Sequence, residues 1–298
     1  MPSMRFFAAL CAGTILALGQ AYAADPKAEM DAALQAANST LQKGPAEIAV
    51  AGQATLKLPA NFNFIPAKES RQLLAAMGNR PSNEIQGMIT STDENANWFM
   101  VVSYTAAGYI KDDDAKTWNA DELLSGLREG TEEANKERKT RGISEMAIVG
   151  WVEKPLYDAA SQRLVWSLAS HDKGQPSGPD NGVNYNTLVL GREGYVSINL
   201  VTGMQAVETL KPVAKNMLAA MTFDSGKRYA DFNAGTDKVA EYGLAALVAG
   251  VAAKKLGLLA VIGLFLAKFA KIIIAAVAVG GGIFGKKWWA RRKANETA

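Results

Sequence analysis

RLVWSLASHDKGQPSGPDNGVNYNTLVLGREGYVSINLV, residues 163–201, decides the fold. Three runs rich in Val, Leu, Tyr and Trp occupy 163–170, 186–191 and 195–201. A Gly- and Pro-rich excursion at 172–182 separates the first two, and Arg192-Glu193-Gly194 separates the last two. Short runs of β-branched and aromatic residues bounded by such punctuation read as strands, and a tight Gly-containing turn reads as a hairpin. Upstream, 143–156 reads as a further strand, joined to 163–170 through Asp158-Ala159-Ala160-Ser161. The centre of the chain is therefore a run of antiparallel strands.

Working outward, 120–140 is a long polar helix. Asn119 stands at its N-cap, Asp121 and Glu122 lie in its first turn, and Lys139 and Arg141 mark its end. These charges complement the helix dipole, and Gly142 stops the helix. Before it come strands at 86–91 and 98–104, a short helix at 69–77 ending near Gly78, and the segment Phe62-Asn63-Phe64-Ile65. A strand pair at 47–50 and 54–58 turns around Gly52, and residues 24–44 form a leading helix and linker. After the central run, 207–221 is a helix and 222–223 a last short strand. The expected class is α+β, helices packed on an antiparallel sheet. The order of elements is similar to the small αβα sandwiches of the Mog1/PsbP type, an analogy of topology that carries no function.

The two ends indicate export and anchoring. Arg5 precedes an apolar stretch at 6–18, and Ala21-Tyr22-Ala23 supplies small residues where a signal peptidase needs them, so 1–23 is expected to be a removable signal peptide. The single cysteine, Cys11, lies inside that stretch, so the mature chain would have no thiol and no disulfide. The soluble domain is expected over 45–238, a small-residue helix over 239–257, a transmembrane anchor over 258–285 and a basic cytoplasmic tail over 286–298. Gly243, Gly250 and Gly257 recur every seven residues, a spacing that lets helices approach closely. Trp288 and Trp289 beside the basic cluster fit an interfacial belt on the cytoplasmic side. Lys268 and Lys271 lie three apart, on one side of a helix. They fit either an oligomer seam or water path, or a shorter span from which they snorkel to an interface. Crossing of the membrane by 242–257 stays open. The layout places the protein in the inner membrane with its soluble domain in the periplasm.

A formal net charge of +3, concentrated at the C-terminus without interleaved basic patches elsewhere, gives no reason to expect nucleic acid. His171 is the only histidine, which makes a zinc site improbable. It adjoins Ser167 and Ser170, but no nucleophile-elbow spacing is present. Asp112, Asp113 and Asp114 form an acidic run. Lys116 stands where a calcium loop needs a ligand and the turn glycine is missing, so a solvated turn is expected there. No phosphate-binding glycine motif is found. The loop at 172–182 reads as a recognition surface or an ordinary excursion. Trp98, Trp118, Trp151 and Trp166 are candidate stacking groups, with Trp151 and Trp166 expected to pair across one hairpin. Asp112, Asp113, Asp114 and His171 remain as a candidate recognition surface.

Gly150-Trp151 with Pro155 and Tyr157-Asp158, then Asn184-Tyr185-Asn186 before Leu190-Gly191-Arg192, form one set of signature residues. Arg228-Tyr229-Ala230-Asp231-Phe232-Asn233, Thr236-Asp237-Lys238 and Tyr242-Gly243 form another. In these blocks the chain resembles the bacterial membrane-anchored proteins of domain-of-unknown-function family DUF2167. The resemblance implies layout and location, not chemistry. The expected function is a non-enzymatic, membrane-anchored module that binds a protein or another envelope component. The alternative is an oligomeric or pore-like assembly of the lysine-bearing C-terminal helices. Expected partners are membrane lipid and an envelope protein or a second copy of the chain. No cofactor is indicated.

Overall fold

Burial alternates along the strand Tyr195–Gly203: Val196, Ile198 and Leu200 are fully buried, while the residues between them are half-exposed. Successive side chains of a strand point to opposite faces, so this element has one face on a dense core and the other on a looser layer. The rest of the molecule is arranged around that difference.

The computed structural model describes residues 26–79, 81–93 and 95–249. In chain order the elements are α1 (Pro26–Thr40), β1 (Gln42–Lys43), β2 (Ala46–Val50), β3 (Ala54–Leu58), β4 (Phe62–Pro66), α2 (Ala67–Ala76), β5 (Ile85–Ser91) and β6 (Phe99–Thr105). Then follow α3 (Ala120–Thr140), β7 (Met146–Asp158), β8 (Arg163–Asp172), β9 (Gly182–Leu190), β10 (Tyr195–Gly203), α4 (Val207–Ala219), β11 (Met221–Phe223) and α5 (Leu244–Val248). Short 3-10 turns stand at Asp113–Lys116 and Tyr229–Asp231.

Eight strands form one antiparallel sheet in the order β1-β4-β5-β6-β10-β9-β8-β7, and three form a second in the order β11-β3-β2. The class is α+β with a large antiparallel sheet and packed helices. One core cluster joins the small sheet and α4 to the large sheet. Leu56 and Leu58 of β3 and Met217 and Leu218 of α4 meet Ile89, Met100, Tyr185, Ile198 and Leu200. Tyr185 is fully buried and its hydroxyl donates to Glu153 Oε2 at 3.2 Å. The same carboxylate meets Lys215 of α4 at 3.1 Å, which fastens the helix to the edge of the sheet.

The neighbour of Ile89 in β5 serves the opposite layer. Met88 precedes Ile89 and packs with Ile65 and Ile85 against Leu73 and Leu74 of α2 and Ala33 and Ala37 of α1. Helices therefore lie against β4 and β5 on the face away from α4. The long helix α3 runs along β7, held by Asn135, which is 3% exposed. Its amide donates to the Met146 carbonyl and its carbonyl accepts from the Met146 N–H, both at 2.8 Å.

Three local expectations change. The linker after α1 contains the short strand β1, paired with β4 at Gln42↔Phe64. Two residues leave too little periodicity to read. Bulges in β7 set Trp151 opposite Leu168 rather than Trp166. The Trp151 indole instead donates to the Ala120 carbonyl of α3 at 3.1 Å. The segment after residue 238 is packed into the fold, with Leu244, Leu247 and Val248 buried. Among the described residues, no helix is long and apolar enough to cross a membrane. The segments expected to be a signal peptide at 1–23, a membrane span at 258–285 and a tail at 286–298, with Gly250, Gly257, Lys268, Lys271, Trp288 and Trp289, lie outside the described residues.

Candidate functional site

The acidic run and the signature block meet in one place, and only Asp113 behaves as part of a solvated turn. Asp112 accepts a 2.8 Å hydrogen bond from the Tyr157 hydroxyl of β7. Asp114 accepts from the N–H groups of Leu244 at 3.1 Å and Ala245 at 3.0 Å, the first residues of α5. Gly243 lies directly against the Asp114 carboxylate, where any Cβ would collide with it. Of the three regularly spaced glycines, Gly243 packs on this carboxylate, while Gly250 and Gly257 lie outside the described residues.

Beside it, Tyr109 stacks on Tyr229 with ring centroids 4.4 Å apart and on Phe232 at 3.9 Å. The Tyr109 N–H donates to the Lys238 carbonyl and the Ala240 N–H donates to the Tyr109 carbonyl, both at 2.8 Å. This parallel bridge runs past Gly108, whose φ of +90° and close approach to the Lys238 carbonyl require the absence of a side chain. The Tyr229 hydroxyl donates to the Ile110 carbonyl at 2.9 Å. Arg192 grips Asp237 with two bonds, Nε to Oδ2 at 2.6 Å and Nη2 to Oδ1 at 2.7 Å.

Burial, then the hydrogen bond to Asp112, pushes the Tyr157 hydroxyl far above its ordinary range, and burial does the same to Tyr229. Burial raises Tyr242 to about 12. The Arg192 guanidinium holds the Asp237 carboxyl well below the usual carboxylate range. The tyrosines are thus held neutral and the carboxylates are tied to donors. This arrangement clasps residues 228–248 onto the loop after β6.

His171 does not join it. Tyr157 lies opposite Leu164, and His171 is seven residues further along β8, roughly 23 Å at the rise of a strand. Its Nδ1 lies 2.9 Å from the Asp172 carbonyl, and the Ser167 hydroxyl donates to the Asn184 carbonyl at 3.1 Å. Among the described residues, no group of three His, Cys, Asp or Glu side chains is placed to hold a metal ion.

A concave feature lies elsewhere. A cavity of about 800 Å³ opens between α1, α2 and the end of the large sheet where β6 begins and β10 finishes. Met30 and Leu34 of α1 and Leu73 and Met77 by α2 line one side. Met88, Phe99 and Val201 line the sheet side. Trp98, tilted at 6.0 Å from Phe62, and the tip of the Gly- and Pro-rich loop at Pro179 and Asp180 complete the wall. That loop is braced by the Asn181 side chain, which donates to Ser177 Oγ at 3.1 Å and accepts from the Gly178 N–H at 3.0 Å. The size of the cavity falls within the range of small-molecule sites.

Trp98 and the loop at 172–182 were the readable signals for this cavity. Met30, Met77 and Met88 carried none, because isolated methionines in helices and strands look the same in a core and in a pocket.

Fold and site together define an α+β domain with an apolar pocket and a clasped C-terminal segment. The chain belongs to the DUF2167 family of proteins of unknown function, whose pattern matches residues 42–278. No curated protein matches the sequence. Among solved structures it is similar to the cyanobacterial PsbP (CyanoP) of Synechocystis sp. PCC 6803, at 11% identity over 62% of this chain and 93% of that one, with a TM-score of 0.37. It is also similar to the Ran-binding protein Mog1p of Saccharomyces cerevisiae, at 13% identity over 60% of this chain and 89% of that one, with a TM-score of 0.28. A Pseudomonas aeruginosa protein of unknown function gives 10% identity, 57% and 91% coverage and a TM-score of 0.22.

Proposed function

We propose that this protein is an exported, membrane-tethered binding module, non-enzymatic, whose extracytoplasmic domain takes an apolar ligand into the cavity beside α1 and α2. One observation carries the reading: an apolar cavity of about 800 Å³ lined by Met30, Leu34, Leu73, Met77, Met88 and Phe99. Among the described residues, the cavity lining offers no nucleophile paired with a base, and binding is what such a surface does well. The tether rests on the sequence: a signal-peptide pattern at 1–23 and an apolar stretch at 258–285 followed by Trp288, Trp289 and a basic tail.

Two measurements test it. N-terminal sequencing of the processed protein, with a cytoplasm-active reporter fused after Ala298, is expected to give a start at Ala24 and an active reporter. An inactive reporter would replace the single span with a hairpin and favour the lysine-bearing membrane assembly. For the module, the full chain and a Met88→Trp variant that fills the cavity are isolated and their bound small molecules extracted. The parent is expected to carry an apolar compound that the filled variant lacks.

A further inference from the structure

We propose that the open face of β6, β10 and β9 is a second binding site, which takes a neutral saccharide through uncharged amide and hydroxyl side chains. It borders the apolar cavity at Phe99 and Val201, but its chemistry does not depend on that cavity.

Register assembles the site. Residues paired directly across two strands share a face. Asn199 of β10 lies opposite Asn186 of β9 and Val101 of β6, Ser197 lies opposite Ser103 of β6, and Asn184 lies opposite Val201. Ile198, Leu200 and Tyr185, which alternate with them, belong to the core under α4. The serines and asparagines therefore stand on the other face, where all five are half-exposed. On that face the helices pack against β4, β5 and β7. The strands β6, β10, β9 and β8 run between β5 and β7. Five inter-strand steps put β5 and β7 about 24 Å apart, and a helix occupies about 10 Å, so a trough roughly 14 Å wide lies between α2 and α3.

The floor of the trough selects its occupant. Ser103, Ser197, Asn184 and Asn186 are uncharged, and each side chain can both donate and accept. The Asn186 amide makes a long 3.4 Å bond to the Asn184 carbonyl, weak enough to yield to a better acceptor. Asn199 can offer only its Nδ2, because its Oδ1 is buried. An apolar helix laid on this floor would bury these groups without partners. Among the described residues the floor carries no basic side chain, so a nucleic acid would find nothing to neutralise its phosphates. A peptide read by a sheet adds to an edge, where backbone groups pair, rather than to a face. A sugar ring carries hydroxyls that each donate and accept. Side chains about 5 Å apart across strands and about 7 Å apart along them reach hydroxyls on both edges of one ring and on its neighbour.

The test uses the full chain in a detergent without a sugar head. Saturation-transfer NMR with a glucose trimer and an N-acetylglucosamine trimer is expected to show binding of at least one, and titration then gives its Kd. Asn186→Leu, close in size, is expected to raise that Kd about tenfold at an unchanged melting temperature, the effect of losing two net hydrogen bonds. Ser197→Ala, a milder change that keeps the test should the first variant unfold, is expected to raise it about threefold. Asn186 and Ser197 lie outside the lining of the apolar cavity, so a trimer held in that cavity would leave both values unchanged and overturn the assignment. Binding of neither trimer overturns the proposal. Binding of a serine- and asparagine-rich peptide in preference to both trimers also overturns it, and gives this face to a protein partner.

Discussion

Asp114 directs both carboxylate oxygens at backbone N–H groups, those of Leu244 and Ala245. A carboxylate at the start of a helical turn satisfies donors that otherwise have no partner and favours the positive end of the peptide dipoles. Asp114→Ala is expected to cost about 1–2 kcal/mol, read from urea unfolding, and to speed hydrogen exchange across 240–248 selectively. A uniform rise in exchange would mean that the carboxylate supports the whole domain rather than this turn. Asp237 makes a prediction about pH. Its folded value lies below the ordinary 3.8, chiefly because Arg192 donates to it. The stability from this pair is then fully present above the unfolded value and is lost as pH falls through 3.8 toward the lower folded value. Thermal melts should decline below about pH 4, and Asp237→Asn should be less stable at neutral pH with a flatter acid limb. An unchanged acid limb in the variant would assign the pH dependence to other carboxylates.

Elements were legible where a local rule and the tertiary environment agreed. The helix at 120–140 is found at the expected residues, with the Asn119 side chain accepting from the Asp121 N–H at 2.9 Å. The strands at 54–58 and 195–201 also lie where alternation and turn residues put them, the second reaching Gly203. What local rules could not convey was register. The bulges of β7 decide whom Trp151 faces, and a bulge is a property of two strands rather than of one. The candidate site was hidden for the same reason. Asp112 and Asp114 look like surface charge until Tyr157, 45 residues away, and Leu244, 130 residues away, arrive beside them. Asn135 is a further case, since a polar residue on a polar helix gives no sign of burial. Asn135→Ala removes both bonds to Met146 and leaves its half-buried N–H and C=O without these partners. The expected cost is about 1–3 kcal/mol by denaturant unfolding, concentrated in faster exchange of β7. A loss under half a kcal/mol would mean that water replaces the amide and that α3 is fastened by other contacts.

At the scale of the molecule, the question is where the folded domain ends. Composition places the boundary near Lys238, because the following residues turn apolar and small and invite a reading as membrane-associated helix. The structure carries the same apolar residues into the fold. Leu244 and Val248 are fully buried and Leu247 is 5% exposed, and the bridge between Tyr109 and Val239 leads the chain into that position. An apolar stretch is therefore ambiguous by hydropathy alone, and the polar anchors Asp114 and Tyr109 resolve it for residues 239–248. The physical consequence is measurable with two chains that both start at Ala24, one ending at Lys238 and one at Ala249. Three buried aliphatic side chains and three hydrogen bonds donated by backbone N–H groups, those of Ala240, Leu244 and Ala245, distinguish them. The longer chain is expected to be more stable by ~4 kcal/mol, taking the low end for aliphatic burial because unfolded chains already hide part of their apolar surface. Urea midpoints at matched protein concentration read this directly, and the shorter chain should also expose Ile110, now 1% exposed, and bind hydrophobic dye. Coincident midpoints would show that the clasp contributes nothing to the stability of the domain.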